Sequence, residues 1–469
     1  MSRPQSEAEY LARLVPTSVA ATSMHRRSLL TAGAALGGSA LLAACGSSSS
    51  GGSGSATSAA ASASAAADTA SAAAPATSAA PGGGGTVSFG SNASDPLPKK
   101  VVQALMDAFK ATSGTTVNIN TQDHGTFQEN INNYLQGKPD DVYTWFAGYR
   151  MRFFAAKGLA GDVSDVWTKL TGFTDGFKAA STGDDGKQYF VPSSYYPWAV
   201  FYRPSLWKEK GYTVPKTLDE LKTLGAQMKK DGLIPIAFAD KDGWPAMGTF
   251  DVLNLRVNGY QFHIDLMAHK VAWDDPKVKK VFDTWAGLLP LHQDAPLGRT
   301  WQEAAQALQT KKAGMYLLGL FVTQQMTANL DDVDFFTFPE LDSTIGADAL
   351  DAPIDGFMKA AKPKNGDAAT ALLTYLGSKD AGNVYAKQDP TTLIANSEAD
   401  TSAYTALQKK SVELVGSAKH ISQFLDRDTR PDFASTVMIP AIQTFLKNPK
   451  DIDGLTKSIE AQAKTIFTA

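Results

Sequence analysis

The hydrophobic pattern of the chain changes period repeatedly after residue 85. Residues 86–89 and 116–119 alternate apolar with polar positions, which predicts two strands. Between them, apolar residues recur at helical spacing over 99–112 and predict an amphipathic helix. A second helix is predicted over 126–135 and a third strand over 141–145. This strand–helix–strand–helix–strand order predicts a parallel sheet with crossover helices.

The same alternation of strands and helices continues towards the end of the chain. Thr217, with Glu220 three residues later, has the signature of a capping box at a helix start, and residues 234–238 follow as a predicted strand. Further helices are predicted over 276–288, 301–311, 366–377 and 434–446. This alternation predicts an α/β fold, and it contains no internal repeat. The length fits two α/β lobes better than one very large sheet.

The amino-terminal segment has the features of an export signal. Arg26-Arg27 precede an apolar run over 28–44 that is too short to span a bilayer comfortably. The run ends in Leu-Ala-Ala before Cys45, the only cysteine, and this junction resembles a bacterial lipobox. Residues 1–44 are therefore predicted to be a signal peptide and Cys45 the lipidated first residue of the mature protein. The alternative is a buried structural thiol.

Two features of the signal stay open in the sequence. Either Met1 or Met24 fits as the start of the chain. The arginine pair followed by Ser-Leu-Leu resembles a twin-arginine signal, whereas the apolar run fits the general secretory route equally well.

Composition separates a linker from the globular part and excludes some partners. Residues 46–85 are almost wholly Ser, Ala, Gly and Thr, so 45–85 is predicted to be a flexible tether. The chain has 44 basic and 47 acidic residues, a net charge of −3, and no basic run. That balance argues against nucleic-acid binding and against electrostatic docking to a membrane. One cysteine allows no intramolecular disulfide, so core burial must stabilise the fold.

Polar and aromatic residues follow the ends of the predicted strands, where ligands bind in open α/β sheets. Sugars offer C–H faces that stack on aromatic rings, and hydroxyls that need planar hydrogen-bonding partners; these residue types supply both. The sequence has no Gly-rich phosphate loop and no metal-ligand spacing, so no cofactor and no metal are expected. The candidate ligand-binding residues at the strand ends are Asn92, Asp123, His124, Trp145, Tyr149, Arg150, Asp242 and Trp244.

Four blocks of sequence resemble those of a known family. They are Lys-Pro-Asp-Asp-Val (138–142) with Trp145 and Gly158-Leu159, Tyr-Phe-Val-Pro into Trp-Ala-Val-Phe-Tyr-Arg (189–203), Lys-Ala-Gly-Met-Tyr to Gly-Leu-Phe (312–321) and Ala-Pro-Ile-Asp-Gly-Phe (352–357). In this order they resemble the extracellular solute-binding proteins of ATP-driven sugar importers, the family of the maltose-binding protein, over nearly all of 86–469. Phe321 stands where this family commonly has tryptophan, and Gly314 replaces an alanine.

The resemblance implies a two-lobed periplasmic-binding-protein fold whose hinge closes the lobes over a ligand. The first lobe would comprise 86–197 and 340–395, and the second 198–339 and 396–469. The crossing segments and the third block add further candidate ligand-binding residues: Tyr196, Trp198, Phe321, Asp355 and Gly356.

The resemblance also implies a function, partners and a location. The chain would be a monomeric carrier that captures a sugar or oligosaccharide and delivers it to the permease of an ABC transporter. It would be held at the outer face of the cell membrane by the lipid on Cys45.

Several candidate residues have an equally plain structural interpretation. Trp145 and Trp244 either stack on a ligand or pack in the core. Tyr196 and Trp198 either contact the ligand or pack in the hinge. The charged residues 426–428 are predicted to be a solvated run rather than part of the cleft.

The polar candidates have alternatives of the same kind. Asp123 and His124 would otherwise be an ordinary loop pair, and Arg150 would otherwise form a surface salt bridge. Asp242 lies two residues from Trp244 and is either a hydroxyl acceptor or an ordinary surface carboxylate.

Other function classes compete with sugar transport. A secreted carbohydrate-active enzyme would need two carboxylates facing each other, but adjacent pairs such as Asp140-Asp141 point to opposite faces of a strand. No nucleophile elbow of the Gly-x-Ser-x-Gly type is present in 45–469. The main alternative is a binding protein for another small solute, such as a polyol, peptide or phosphodiester. A structural or adhesive lipoprotein fits the tether but not the strand ends.

Overall fold

The computed structural model describes residues 85–347 and 349–468. The predicted signal peptide, Cys45 and nearly all of the predicted linker lie outside the described residues. Within the described ranges, no helix is both long enough and apolar enough to cross a bilayer.

The strands of the described ranges form three sheets. The first sheet has the order β12-β5-β11-β3-β1-β2, with β4 also paired to β11; the second has the order β7-β8-β6-β9; β10 and β13 form a small parallel pair. In chain order the strands are β1 (Thr86–Ser91), β2 (Thr116–Thr121), β3 (Val142–Phe146), β4 (Ala160–Gly161), β5 (Val191–Tyr195), β6 (Trp198–Tyr202), β7 (Ile234–Ala237), β8 (Ala313–Gly319), β9 (Asp334–Phe336), β10 (Ala349–Asp351), β11 (Ile354–Ala360), β12 (Leu393–Ile394) and β13 (His420–Ser422).

The helices cover both sheets. In chain order they are α1 (Pro96–Ser113), α2 (His124–Glu129), α3 (Ile131–Gln136), α4 (Tyr149–Ala156), α5 (Ser164–Trp167), α6 (Asp175–Ala180), α7 (Pro204–Lys210), α8 (Leu218–Lys230), α9 (Trp244–Asn258), α10 (Tyr260–Met267), α11 (Pro276–Leu288), α12 (Trp301–Gln309), α13 (Gly366–Leu376), α14 (Lys379–Gln388), α15 (Ala406–Ser417), α16 (Leu425–Asp428), α17 (Pro431–Phe433), α18 (Ile439–Lys447) and α19 (Ile452–Thr468). Short 3₁₀ segments occupy Leu289–Leu291, Pro296–Gly298 and Leu320–Asp332, and a π turn occupies Ala434–Met438.

The amino-terminal part of the first sheet confirms the predicted strand and helix order. β1 pairs in parallel with both β2 and β3, and α1 buries the apolar face that runs from Val101 to Phe109 against the sheet. The helix ends where Gly114 adopts a left-handed conformation with φ 72°, which glycine adopts at no steric cost. The predicted α/β class is therefore confirmed for this part of the chain.

The first sheet differs from the prediction because it is mixed rather than wholly parallel. β11 lies between β3 and β5 and is antiparallel to both. Its first residues come from the fourth of the resembling blocks, far from β3 in sequence, so local periodicity contained no signal for this pairing.

Two predicted helices are divided in the structure. The helix expected over 126–135 breaks at Asn130 into α2 and α3. The helix expected over 434–446 begins with the π turn and continues as α18. At the start of α8, Thr217 accepts a hydrogen bond from the backbone N–H of Glu220, as predicted, but the Glu220 carboxylate accepts from Lys216 rather than from Thr217.

The chain crosses between the two sheets at segments that lie side by side. It leaves the first sheet after Tyr195 and enters the second at Trp198. It returns from β9 through β10 into β11, and β10 pairs with β13 from a later segment. The lobe boundaries given above remain a prediction.

Candidate ligand-binding site

A cavity of about 510 Å³ lies between the ends of the first-sheet strands and the elements that follow the second-sheet strands. From the first sheet it receives residues that follow β1 and β2 and the last residues of β3, in agreement with the rule that ligands bind at the carboxyl ends of strands. From the second sheet it receives the first residues of α9 and α12 and the segment after β8. The crossing segments and α16 also contribute to its lining.

Phe321 is the centre of an aromatic wall on the second-sheet side. Its ring centroid lies 5.2 Å from that of Tyr196, 5.2 Å from Trp301 and 5.8 Å from Trp244. Trp198 lies slightly farther away, at 6.4 Å. These rings meet steeply, in the edge-to-face arrangement that aromatic pairs prefer, so they stabilise one another without a ligand.

Arg427 organises a polar wall that meets the aromatic wall at Tyr196. Its guanidinium donates hydrogen bonds to Asp355 Oδ1 at 2.9 Å and to the Tyr196 hydroxyl at 3.0 Å. The guanidinium carbon also lies 3.9 Å from the centroid of the Phe146 ring. Burial disfavours the charge of Arg427, but Tyr196, Asp355 and Asp426 together raise its pKa. The guanidinium therefore stays charged and holds Asp355 in place.

Arg150 and Asp426 form a second ion pair behind this wall. Arg150 Nη1 lies 2.9 Å from Asp426 Oδ2, and both residues are buried, with 4% and 7% of their surfaces exposed. The prediction that residues 426–428 form a solvated charge run is wrong. Asp426 and Arg427 are buried at the cavity because α16 buries its first three residues, and Asp428 is half-buried.

His124 is held in a neutral state at the cavity wall. Burial lowers its pKa; Asp355 acts in the opposite direction, but Arg427 lowers the pKa further. Its Nε2 lies 2.8 Å from Gln128 Nε2, and Gln128 Oε1 accepts from Arg150. Because the Gln128 amide nitrogen is then the donor, His124 Nε2 is the acceptor and the proton sits on Nδ1.

Carboxylates lie near the rim. Asp123 is the N-cap of α2 and accepts from the Thr126 N–H at 3.0 Å, while Asp242 is exposed. Asp95 accepts from Gln302 Nε2 at 3.2 and 3.3 Å, which joins the end of β1 to α12 across the cavity.

The structure brings most of the predicted site residues to one cavity. Those in its lining are Asn92, Asp123, His124, Trp145, Tyr196, Trp198, Asp242, Trp244, Phe321, Asp355 and Gly356. Tyr149 and Arg150 do not line it: Tyr149 packs against Phe153 on α4, and Arg150 lies one layer behind.

Trp145 lines the cavity only marginally. Its side chain packs against Phe127, Phe146 and Phe154, and only 1% of the residue is exposed. Of the two interpretations of Trp145 left open by the sequence, core packing describes this ring better than stacking on a ligand.

Sequence reasoning missed several cavity residues. Trp301 and Gln302 open α12, where Thr300 and Glu303 form a capping box that the sequence displays. A search of helix starts on the second sheet would have found them. Asp426 and Arg427 carried no such signal, because their burial depends on Arg150 and Asp355, which lie far away in sequence.

The described residues offer no metal site. In 85–347 and 349–468, no group of three or more His, Cys, Asp or Glu side chains is arranged to hold a metal ion. The chemistry available in the cavity is hydrogen bonding, charge pairing and aromatic stacking.

Sequence comparisons identify related proteins. The profile of the family described as bacterial extracellular solute-binding protein matches residues 91–383. An ABC-transporter extracellular-binding protein of Pyrococcus horikoshii is 25% identical over 257 residues, which is 54% of this chain and 57% of the relative. The alpha-glucosides-binding periplasmic protein AglE of Rhizobium meliloti is 28% identical over 30% of this chain and 34% of its own length. The matched part of the chain thus spans little more than half of the Pyrococcus relative and about a third of AglE.

Solved structures extend the similarity to nearly all of the described residues. The bacterial solute receptor AcbH, described as having an exclusive substrate preference for β-D-galactopyranose, is 48% identical with a TM-score of 0.80, covering 82% of this chain and 100% of that one. The solute-binding protein RafE in complex with raffinose has a TM-score of 0.67 at 16% identity, covering 81% and 99%. The predicted two-lobed α/β fold is confirmed by these overlaps.

Proposed function

Because the chain belongs to the family of bacterial extracellular solute-binding proteins, we propose that it captures a carbohydrate in its inter-sheet cavity and delivers it to an ABC permease. The observation that carries the proposal is the pairing of two unlike walls around one cavity. One wall is aromatic around Phe321, and the other is an ion-paired polar wall around Arg427.

The two walls suit the two kinds of surface on a sugar ring. A pyranose presents C–H groups on its faces, which stack on aromatic rings, and hydroxyls around its edge, which need donors and acceptors in fixed positions. Arg427 and Asp355 are already fixed by each other, so little side-chain entropy is lost when they bind hydroxyls. Both arginines near the cavity are paired with carboxylates, which suits an uncharged ligand.

D-Galactose is the first ligand to test. The relative with 48% identity is described as having an exclusive preference for β-D-galactopyranose. Calorimetric titration with D-galactose, D-glucose, maltose and raffinose should give heat of binding with at least one of them. Absence of binding with the whole panel, with the protein folded by circular dichroism, would contradict carbohydrate capture.

We expect binding without turnover. The adjacent carboxylates Asp140 and Asp141 do not line the cavity. Asp140 accepts from the Tyr134 hydroxyl, and Asp141 accepts from Ser88, so both support the first sheet. Chromatography of the sugar after prolonged incubation should return it unchanged; a cleaved product would support the enzyme alternative instead.

Delivery to a permease is proposed to depend on an anchor at Cys45. The order of Arg26-Arg27, an apolar run and Leu-Ala-Ala before the cysteine supports cleavage and lipidation there. A Cys45→Ser chain should bind the same sugar with unchanged affinity but appear in the culture medium rather than with the membranes. Equal membrane retention of both chains would contradict the anchor. On size-exclusion chromatography we expect a monomer.

A further inference from the structure

A buried ion pair lies immediately behind the polar wall of the cavity. Asp426 lines the cavity, whereas Arg150, its partner at 2.9 Å, does not. The pair joins α4, which follows β3 of the first sheet, to α16, which comes much later in the chain.

Arg150 is fixed in place by more than this carboxylate. Its Nη1 also donates to Gln128 Oε1 at 2.7 Å. Its guanidinium carbon lies 4.7 Å from the centroid of the Trp145 ring, which supports the planar group from one face. Gln128 in turn is held by His124, so four side chains form one connected network. A guanidinium held at this many points has little freedom to move.

The network uses only one oxygen of Asp426. Oδ2 accepts from Arg150, while Oδ1 is buried and has no hydrogen-bond partner. Arg427 Nε lies 4.0 Å from Oδ1, beyond hydrogen-bond distance. A buried carboxylate oxygen without a donor is destabilising, so a donor that enters the cavity gains the full value of that bond.

We infer that Arg150 is a positioning residue: it does not touch the ligand, but fixes Asp426 so that Oδ1 accepts a ligand hydroxyl. The inference rests on the proposed function, because it requires a ligand with a hydroxyl donor. It replaces the sequence-based expectation that Arg150 binds the ligand directly. It also gives the buried charge pair a role, since buried ion pairs contribute little net stability compared with apolar residues of similar volume.

A double-variant cycle tests whether Arg150 acts through Asp426. The affinity for D-galactose is measured for the wild type, Arg150→Met, Asp426→Asn and the double variant. Methionine keeps the packing of the Arg150 stem while removing its hydrogen bonds. Each single variant should weaken binding by about 10-fold to 100-fold, the usual effect of losing one hydrogen bond to a charged group.

The double variant distinguishes the roles. If Arg150 acts only by positioning Asp426, adding Arg150→Met to Asp426→Asn should change the affinity by less than about 2-fold. A further tenfold loss would mean that Arg150 contacts the ligand and would overturn the inference. An unchanged affinity in Arg150→Met alone would overturn it as well.

A second series covers the case in which Arg150→Met fails to fold because Asp426 is left as a buried, unpaired charge. Arg150→Lys keeps the charge but offers less of the fixed fork geometry. Wild type and Arg150→Lys are compared with D-galactose and its 2-, 3-, 4- and 6-deoxy derivatives. The loss caused by Arg150→Lys should disappear for the one derivative that lacks the hydroxyl bound by Asp426.

General loosening of the site would instead weaken all five sugars equally and would overturn the inference while leaving sugar binding intact. Failure of the wild type to bind any sugar of the calorimetric panel is a different result. It would overturn the proposed function, and the inference with it.

Discussion

Trp244 and Trp301 lie on the same side of the cavity and both contact the ring of Phe321. Trp244 is partly exposed, whereas Trp301 and Trp145 are buried. A ring that is partly open to the cavity can exchange water for a sugar face, and a buried one cannot without rearrangement. Trp244 is therefore the best candidate among these rings for stacking on a sugar.

Trp244→Ala should weaken sugar binding by roughly 1–3 kcal/mol and leave the unfolding temperature almost unchanged, because an aromatic anchor at a binding surface is lost. Trp145→Ala should instead cost roughly 3–5 kcal/mol of folding stability, since it removes a core indole. Calorimetric titration and thermal unfolding of the two variants measure these effects. Trp244→Phe is the control and should retain most of the affinity; equal unfolding losses in both alanine variants would contradict this distinction.

The different fates of Trp145 and Trp244 mark the limit of residue-level prediction. Strand periodicity gives the position of Trp145 at the end of β3 correctly. Helices cover both faces of this mixed sheet, however, so the pattern does not reveal that Phe127 and Phe154 from two helices cover this ring.

Asp351 and Asp251 are carboxylates buried next to the crossing segments. Burial raises the pKa of each well above its usual value, and burial also raises the pKa of nearby Asp428 to about 6. Asp251 accepts a hydrogen bond from the Leu425 N–H, but neither side-chain oxygen of Asp351 has a partner. Because the folded protein binds these protons more tightly than the unfolded chain, the unfolding free energy falls as the pH rises from about 4 through 6 and above.

Asp351→Asn should raise the unfolding free energy at pH 8 by about 1–3 kcal/mol, because the variant has no charge to bury. It should also flatten the dependence of stability on pH between 4 and 8. Thermal unfolding measured over that range gives both quantities. Asp283→Asn, at an exposed position of α11, is the control and should follow the wild type. A parallel pH profile for Asp351→Asn would contradict the prediction.

At the scale of elements, β11 depends on a glycine. Gly356 lies between Trp145 on β3 and Pro192 on β5, at a register shift in the pairing with β5. A Cβ at this position would collide with the Val191 carbonyl oxygen and the Phe190 ring. The missing side chain of Gly356 therefore permits the close approach of the two backbones.

Gly356→Ala should destabilise the fold by about 1–3 kcal/mol, the usual cost of overpacking, because backbone atoms of β5 must move. Gly287→Ala is the matched control: Gly287 lies in helix α11 with no atom near its missing Cβ. That change should stabilise the protein by about 0.4–1 kcal/mol. Chemical denaturation of both variants measures the two effects. If Gly356→Ala is as stable as the wild type, the packing argument for Gly356 is wrong.

Elements formed by neighbouring residues were predictable, and those formed by distant ones were not. The order β1–α1–β2 followed from local periodicity because each element has its own apolar face. The break between α2 and α3 at Asn130 was missed, since the helical pattern continues through it. The insertion of β11 could not be predicted by periodicity, which carries no information about partners.

At the scale of the whole molecule, two side-chain amides cross between the first- and second-sheet parts. Gln302 donates to Asp95, and Gln324 donates to Asp389 at 3.0 Å. These hydrogen bonds can form only while the two parts lie together, so they stabilise an arrangement in which the parts are closed. A rigid-body closure of the two parts, which the family resemblance implies, would make these contacts favour ligand retention.

Gln302→Ala should weaken sugar binding by about 0.5–1.5 kcal/mol, the typical net value of one hydrogen bond, mainly through faster ligand release. Stopped-flow fluorescence measures the release rate. Gln306→Ala, at an exposed position one turn farther along α12, is the control and should bind and release as the wild type does. An unchanged release rate for Gln302→Ala would mean that this contact does not stabilise the closed arrangement.

The position of β11 in the sequence also determines when the first sheet can form during synthesis. Its residue Asp355 pairs with Phe146, more than 200 residues earlier. During synthesis, the edge of β3 that pairs with β11 stays unpaired until about two thirds of the residues that follow β3 have been made. Pairings this distant form slowly, since a long loop must close first. The first sheet can therefore be completed only when residues from the last third of the polypeptide have been made.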